Sequence, residues 1–258
     1  MSSPRPSFSR APPSSAPPSA WPSSAGSRGA EILRSVIIGY ELAGRMPKAL
    51  GIENLRRANI ANHGIGPVFG TAAAASSIIG LPENRIPHVL TYCAQQASGS
   101  WQWMLDVEHV EKSFVFAGMG ARAGMQAALF AELGFRGVRD SLDNPAGWMN
   151  SQIFRGHDAN RAYLIEKLGE RWEMPETAYK RYPVGGPTQP AVHGLLQLLP
   201  KIDRAQVASV MITMPGRWQA FRDAAMPALN PPLPQRHHPA GWQTGLRLGS
   251  IARAHAWR

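Results

Sequence analysis

The chain has 258 residues, enough to bury a sizeable core as one large domain or two small ones. Its net charge of +10 does not describe a phosphate-binding face: residues 1–30 hold +3 and residues 231–258 hold +4, all arginine without an acid, so residues 31–230 carry only +3. A single cysteine, Cys93, excludes an intramolecular disulfide and any multi-cysteine metal site, and no run of 18 apolar residues is present to span a membrane. Neither nucleic acid nor membrane is therefore an expected partner. The N-terminus also lacks the apolar stretch of a secretory signal, so a cytoplasmic location is the default expectation.

Residues 1–29 are rich in Ser, Pro and Ala and cannot bury enough apolar surface to offset their chain entropy, which predicts a disordered tail. From Ala30 the texture changes. "AEILRSVIIGYELAGRMPKAL" places Ile32, Val36, Ile37, Tyr40 and Ala43 at helical spacing until Pro47 and Gly51 weaken it. "PVFGTAAAASSIIG" predicts a second helix, with Pro67 in its first turn and Gly80 as its stop. Further helices are expected from Pro87 onward in "LPENRIPHVLTYCAQQAS", in "GMGARAGMQAALFAELGF" and in "NRAYLIEKLGERW". Within the first of these, Cys93 sits in an apolar stretch and reads as a small buried hydrophobe. Residues 30–175 thus read as a helical domain.

After it, "AVHGLLQLLP" reads as a helix, and in "AQVASVMITMP" the residues Val210, Ile212 and Met214 alternate as in a strand. This predicts a mainly α chain in which a helical domain is followed, over residues 176–230, by the beginning of a smaller α+β domain. Residues 231–258 have no acid and no sustained period, the composition expected of a GC-rich gene read out of frame. Both ends are therefore expected to be foreign to the fold.

Three clusters could carry chemistry. In "NHGIGPVFGTAAAASSIIGL" the glycines do not make a phosphate cradle, because no Lys-Ser/Thr pair and no preceding strand accompany them. His63 stands just before the helix and, by itself, reads as a capping or loop histidine. In "DVEHVEKSFVFAGMGARAG" the spacing of Asp106, Glu108, His109 and Glu111 matches no metal-ligand pattern. Lys112, at the edge of the apolar "SFVFAG", can place a compact charge into a pocket and hold a carboxylate. In "AYKRYPVGGPTQPAV", Lys180, Arg181 and Tyr182 beside a Gly-Gly-Pro turn suit an anion with several carboxylates, and read equally as a surface turn. His157 and Asp158 read as a helix-capping pair.

Taken together in this order, the stretches resemble the MmgE/PrpD family, which includes 2-methylcitrate dehydratases and cis-aconitate decarboxylases. "VIIGYELAGRMPKALG" resembles a Gly-Tyr-Glu…Arg helix, and "NHGIGPVFGTAAAASSIIGL" a histidine followed by a small-residue helix. "AQQASGSWQW" resembles a Ser-Gly helix end. "EKSFVFAGMGARAGMQAALFAELGFRG" resembles a lysine-bearing turn and helix, and "YKRYPVGGPTQPAVHGLLQL" the hinge into a second domain. The resemblance covers roughly residues 30–230, so the chain is expected to be a family member truncated at both ends. It implies a cofactor-independent lyase, without metal, acting on a small di- or tricarboxylate. His63 then lines up with an active-site histidine and Lys112 and Lys180 with substrate-binding lysines, with Arg181 and Tyr182 beside them; a homodimer is implied by the family alone. A dehydratase-type reaction is expected first, with a decarboxylase-type reaction or an inactive remnant that keeps only the helical dimerisation surface as alternatives. Two positions depart from the pattern: Gly185 and Gln189 stand where some or many members have histidine.

Overall fold

The computed structural model describes residues 29–105, 114–156, 158–184, 186–207, 209–210, 212 and 252–253. They fall into two compact units, a larger one described over residues 29–103 and 114–177, and a smaller one that takes the chain from 178 onward together with residues 104–105. The tails expected to be disordered lie almost wholly outside the described residues.

The larger unit is a helix bundle. Helix α1, Gly29–Leu50, is followed by α2, Ile52–Arg57, then α3, Gly66–Ile78, α4, Ile86–Gln96, and α5, Gly120–Glu132. Helix α3 packs against α1 on one side and α5 on another, while α4 lies along α5. Flanked in this way, α3 is buried nearly all round, as its lack of a polar face requires. The core collects around Met46, Leu50, Leu55, Ile65, Phe69, Val89, Cys93, Met149 and Phe154. Burial pushes the Cys93 thiol far above its ordinary range, so it is a packing residue.

Small residues set the helix spacing. A Cβ on Gly70 of α3 would stand 2.6 Å from the Gly39 carbonyl oxygen and 2.7 Å from the Ala43 Cβ of α1. On α5, a Cβ at Gly124 would overlap the Val68 carbonyl of α3. Pro47 does not end α1, which continues to Leu50. A proline here leaves the Ala43 carbonyl without its helical donor, and Gly66 at the start of α3 abuts that same carbonyl. The helix ends instead at Gly51, whose φ of 85° is in the left-handed region.

The helix expected in "NRAYLIEKLGERW" is not formed. Only Arg161–Leu164 makes a 3₁₀ turn, and turns follow, with positive φ at Lys167 and Gly169. The reason is Arg45. Its buried guanidinium, on α1, donates to the carbonyls of Tyr163 and Glu166 at 2.9 Å and of Arg171 at 2.8 Å. Those acceptors serve a distant side chain instead of a helix ladder. Asp158 does cap a helix, but a distant one: its carboxylate accepts from the backbone N–H groups of Glu53 at 2.8 Å and Asn54 at 3.1 Å, at the start of α2. Its expected partner in the pair, His157, lies outside the described residues.

In the smaller unit a 3₁₀ turn leads into α6, Gln189–Leu198. The α+β domain expected over residues 176–230 is not supported. The described residues are mainly helix and turn, and their strand content is a single ladder in which β1, Ser209–Val210, pairs antiparallel with β2, Ala252–Arg253. Two residues a side cannot build a sheet with a buried face. The alternation of Val210, Ile212 and Met214 was too short to specify one: Ile212 is outside the ladder, and Met214 outside the described residues. The chain is mainly α.

Candidate active site

His63 sits in a single 3₁₀ turn, Asn62–Gly64, immediately ahead of α3. This turn is pinned to the segment after α4. The Ala61 N–H donates to the Gly99 carbonyl at 3.1 Å, the Trp101 N–H donates to the Asn59 carbonyl at 3.3 Å, and Ile60 bridges Ser100. Gly64 is required for this approach, since a Cβ there would overlap the Ser98 carbonyl. The two segments therefore hold each other through backbone atoms, and the imidazole takes its place from both.

Two indoles flank it. The His63 ring stands edge-to-face with Trp101, 6.2 Å between centroids at 87°, and with Trp103, 5.8 Å at 84°. The indoles lie 5.1 Å from each other. Trp103 is buried and His63 half-buried, so the imidazole has an apolar wall on one side and access on another. The sequence offered a signal for this pair. "SGSWQW" puts two tryptophans two residues apart, directly after the Ser-Gly turn that grips the histidine loop.

Asn59 and Ile60 ahead of the histidine turn and residues 97–100 ahead of the tryptophans line a cavity of about 510 Å³, together with Val115, Met119, Ile153 and Phe154; the His63, Trp101 and Trp103 side chains are not part of that lining. Its polar groups are Asn59, Ser98 and Ser100, and its described lining contains no cation. Neutral hydroxyl and amide groups can orient a ligand. Neutralising a carboxylate would require a cation from outside this lining. Lys112, the residue expected to supply one, lies outside the described residues, as do Asp106, Glu108, His109 and Glu111.

Lys180, Arg181 and Tyr182 belong to the smaller unit and lie together on the loop before α6. Lys180 and Arg181 are exposed and Tyr182 is half-buried, with the Arg181 guanidinium 5.9 Å from the Tyr182 ring centroid. The loop is held by Gln189. Its amide nitrogen donates to the carbonyls of Tyr182 at 2.8 Å and Val184 at 2.9 Å, and its oxygen accepts from the Tyr182 N–H at 3.0 Å. An imidazole could not make all three bonds in this geometry, so the glutamine at this position fixes the loop. Gly185 lies outside the described residues.

A second polar cluster was not anticipated. Glu41, Arg45 and Lys48 share one face of α1. Besides its three carbonyl acceptors, Arg45 donates to Glu41 at 2.9 Å. Lys48 donates to Glu173 at 2.8 Å and to the Tyr163 hydroxyl at 2.6 Å, and that hydroxyl donates to Glu173 at 2.9 Å. The Glu173 N–H donates to Glu41, and the Arg171 guanidinium stacks 3.9 Å from the Tyr163 ring centroid. With Glu173 only 1% exposed, these charges tie the 163–173 segment to α1. The Glu…Arg of "GYELAGR" therefore has a structural task, which periodicity could not reveal because its partners are more than a hundred residues away.

Among the described residues no helix is long and apolar enough to cross a membrane. A comparison with curated proteins found no match. Against protein families, the MmgE/PrpD N-terminal domain matches residues 12–162. That span takes in the histidine turn, both tryptophans, the cavity-lining segments and all of the apolar core. The match supports a place among lyase-type proteins in general terms, and with more than half of its length covered, this chain belongs to the MmgE/PrpD family.

Proposed function

We propose that the chain is a lyase acting on a small di- or tricarboxylate, in the manner of a 2-methylcitrate dehydratase. The observation that carries this reading is the imidazole of His63, half-buried against two indoles and held by the segment that lines the 510 Å³ cavity, within the span matched by the family.

In such an elimination, a carbon beside a carboxylate gives up a proton and its neighbour loses hydroxide, which departs as water once protonated. The electron pair of the broken C–H bond becomes the new double bond. His63 is the residue that moves the proton, since imidazole can accept and release one near neutrality. Cations holding the substrate carboxylates stabilise the charge that develops on the activated carbon. We assign that role to Lys112, with Lys180, Arg181 and Tyr182 as the further carboxylate-binding group. A dehydratase fits better than a decarboxylase because Gly185 stands where some decarboxylase members carry histidine.

The test is a thermal-shift titration of the full chain with citrate, 2-methylcitrate and cis-aconitate, followed by turnover assays. A ligand that binds only the native state raises the melting point by mass action. One acid is expected to raise it, and Lys112→Ala to abolish the rise. His63→Gln is expected to keep the rise while lowering turnover by about 10²-fold or more. A cooperatively melting protein that responds to none of the three acids would instead mark a family remnant without the activity.

A further inference from the structure

Helix α6 presents Gln189, His193 and Gln197 at i, i+4 and i+8, along one stripe of its surface. The stripe is directed at the loop that precedes it. Gln189 holds the backbone of that loop. His193 reaches its side chain, with Nδ1 2.8 Å from the Tyr182 hydroxyl oxygen and 6.1 Å between ring centroids. Gln197 stands behind, its amide nitrogen 3.2 Å from His193 Nε2.

The chemistry of these atoms orders the protons. The Gln197 amide faces the ring with its nitrogen, a group that donates, and this orientation assigns Nε2 as the acceptor. A neutral imidazole carries one proton, which is then on Nδ1. Nδ1–H must donate to the Tyr182 oxygen, and the phenol's own proton is left to be given elsewhere. A hydroxyl that accepts a hydrogen bond is polarised into a stronger donor.

We propose that Gln197 and His193 form a tautomer-setting relay that makes Tyr182 an outward-directed hydrogen-bond donor to a carboxylate oxygen of the ligand. The ligand class rests on the reading given under Proposed function; the placement of the proton does not. His193 and Gln197 act through Tyr182 and are positioning residues. The loop gains a neutral directional donor beside the ammonium of Lys180 and the guanidinium of Arg181. Charge alone attracts any anion, whereas a phenol held in one orientation selects where a carboxylate oxygen lies.

Two measurements on the full chain test this. The first is the ¹⁵N spectrum of the imidazole nitrogens at about pH 8.5, where an ordinary imidazole is neutral. His193 is expected to carry its proton on Nδ1. In Gln197→Met, whose thioether offers no donor, the proton is expected to move to Nε2, and Nδ1 then takes the Tyr182 proton as acceptor. The second is citrate binding by calorimetry. Gln197→Met is expected to weaken it by about tenfold, the scale of one hydrogen bond to a charged group. Tyr182→Phe is expected to weaken it as much in the native background and to add little in the Gln197→Met background. A purely structural role for Gln197 would lower the melting point without this coupling. An Nε2 proton in the native chain overturns the relay, and a tautomer switch that leaves the citrate Kd unchanged overturns its link to the ligand. If the native chain shows the Nδ1 proton but binds neither citrate, 2-methylcitrate nor cis-aconitate, the carboxylate reading fails and the proton placement stands.

Discussion

At the scale of single residues, the least replaceable side chains are the buried charges on α1. Arg45 is 1% exposed and meets four oxygens, and Glu173 is equally buried against Lys48 and Tyr163. A buried charge that loses its partner costs far more than the pair contributes, because the remaining ion has no water to replace it. Lys48, the ion left behind, is about a fifth exposed, so Glu173→Ala is expected to destabilise the chain by about 1–3 kcal/mol, measured by urea unfolding. Lys48→Met combined with Glu173→Met should recover much of that loss, since an apolar pair leaves no orphaned ion. A double variant as unstable as Glu173→Ala would show that packing beside Gly44, where a Cβ would come 2.6 Å from Glu173 Oε2, dominates instead. None of this was legible in "GYELAGRMPKAL": helical spacing identified the apolar residues, but nothing local distinguishes a buried arginine from a solvated one.

At the scale of elements, glycine has different consequences at different places. Gly70 is in the close approach of α3 to α1, where the Gly39 backbone blocks a side chain. Gly194 is in the interior of α6 with open space where a Cβ would go. Gly70→Ala is expected to cost about 1–3 kcal/mol by forcing two packed helices apart. Gly194→Ala should stabilise by up to about 1 kcal/mol through helix propensity alone. Thermal melts of both variants check the pair, and equal effects would contradict the close-packing role of the α3 glycines. Here the sequence was more informative. Helix α3 began and ended at its proline and glycine signals, and α4 began at its proline. The failed helix at residues 160–172 and the missing sheet mark the limit, because both depended on partners remote in the chain.

At the scale of the whole molecule, every residue of the buried apolar cluster lies between Met46 and Phe154 of the larger unit. Residues 161–173 add only the partly buried Tyr163 and Leu164 against that cluster, yet supply the carbonyls and the carboxylate that satisfy Arg45 and Lys48. A chain ending after Thr177 is therefore expected to melt cooperatively within about 5 °C of the full chain, as followed by circular dichroism. One ending after Asn160 should not, because it retains the cluster and leaves a buried guanidinium without its three carbonyl acceptors. Equal melting of the two truncated chains would show that the apolar cluster alone is sufficient.

The sequence by itself determined the helical class of the larger unit, the starts and stops of its main helices, and the family. These depend on periodicity, on proline and glycine geometry, and on ordered local motifs, all of which act within a few residues. The tertiary structure alone decided that the carbonyls of residues 163–171 serve Arg45 in place of a helix, and that His63 stands edge-to-face against Trp101 and Trp103. It also decided that Gln189, His193 and Gln197 converge on Tyr182. The first of these is a contest between a local preference and a distant polar partner, and a buried charge outweighs the small free energies of local propensity; the others depend on side-chain orientation, which periodicity does not encode.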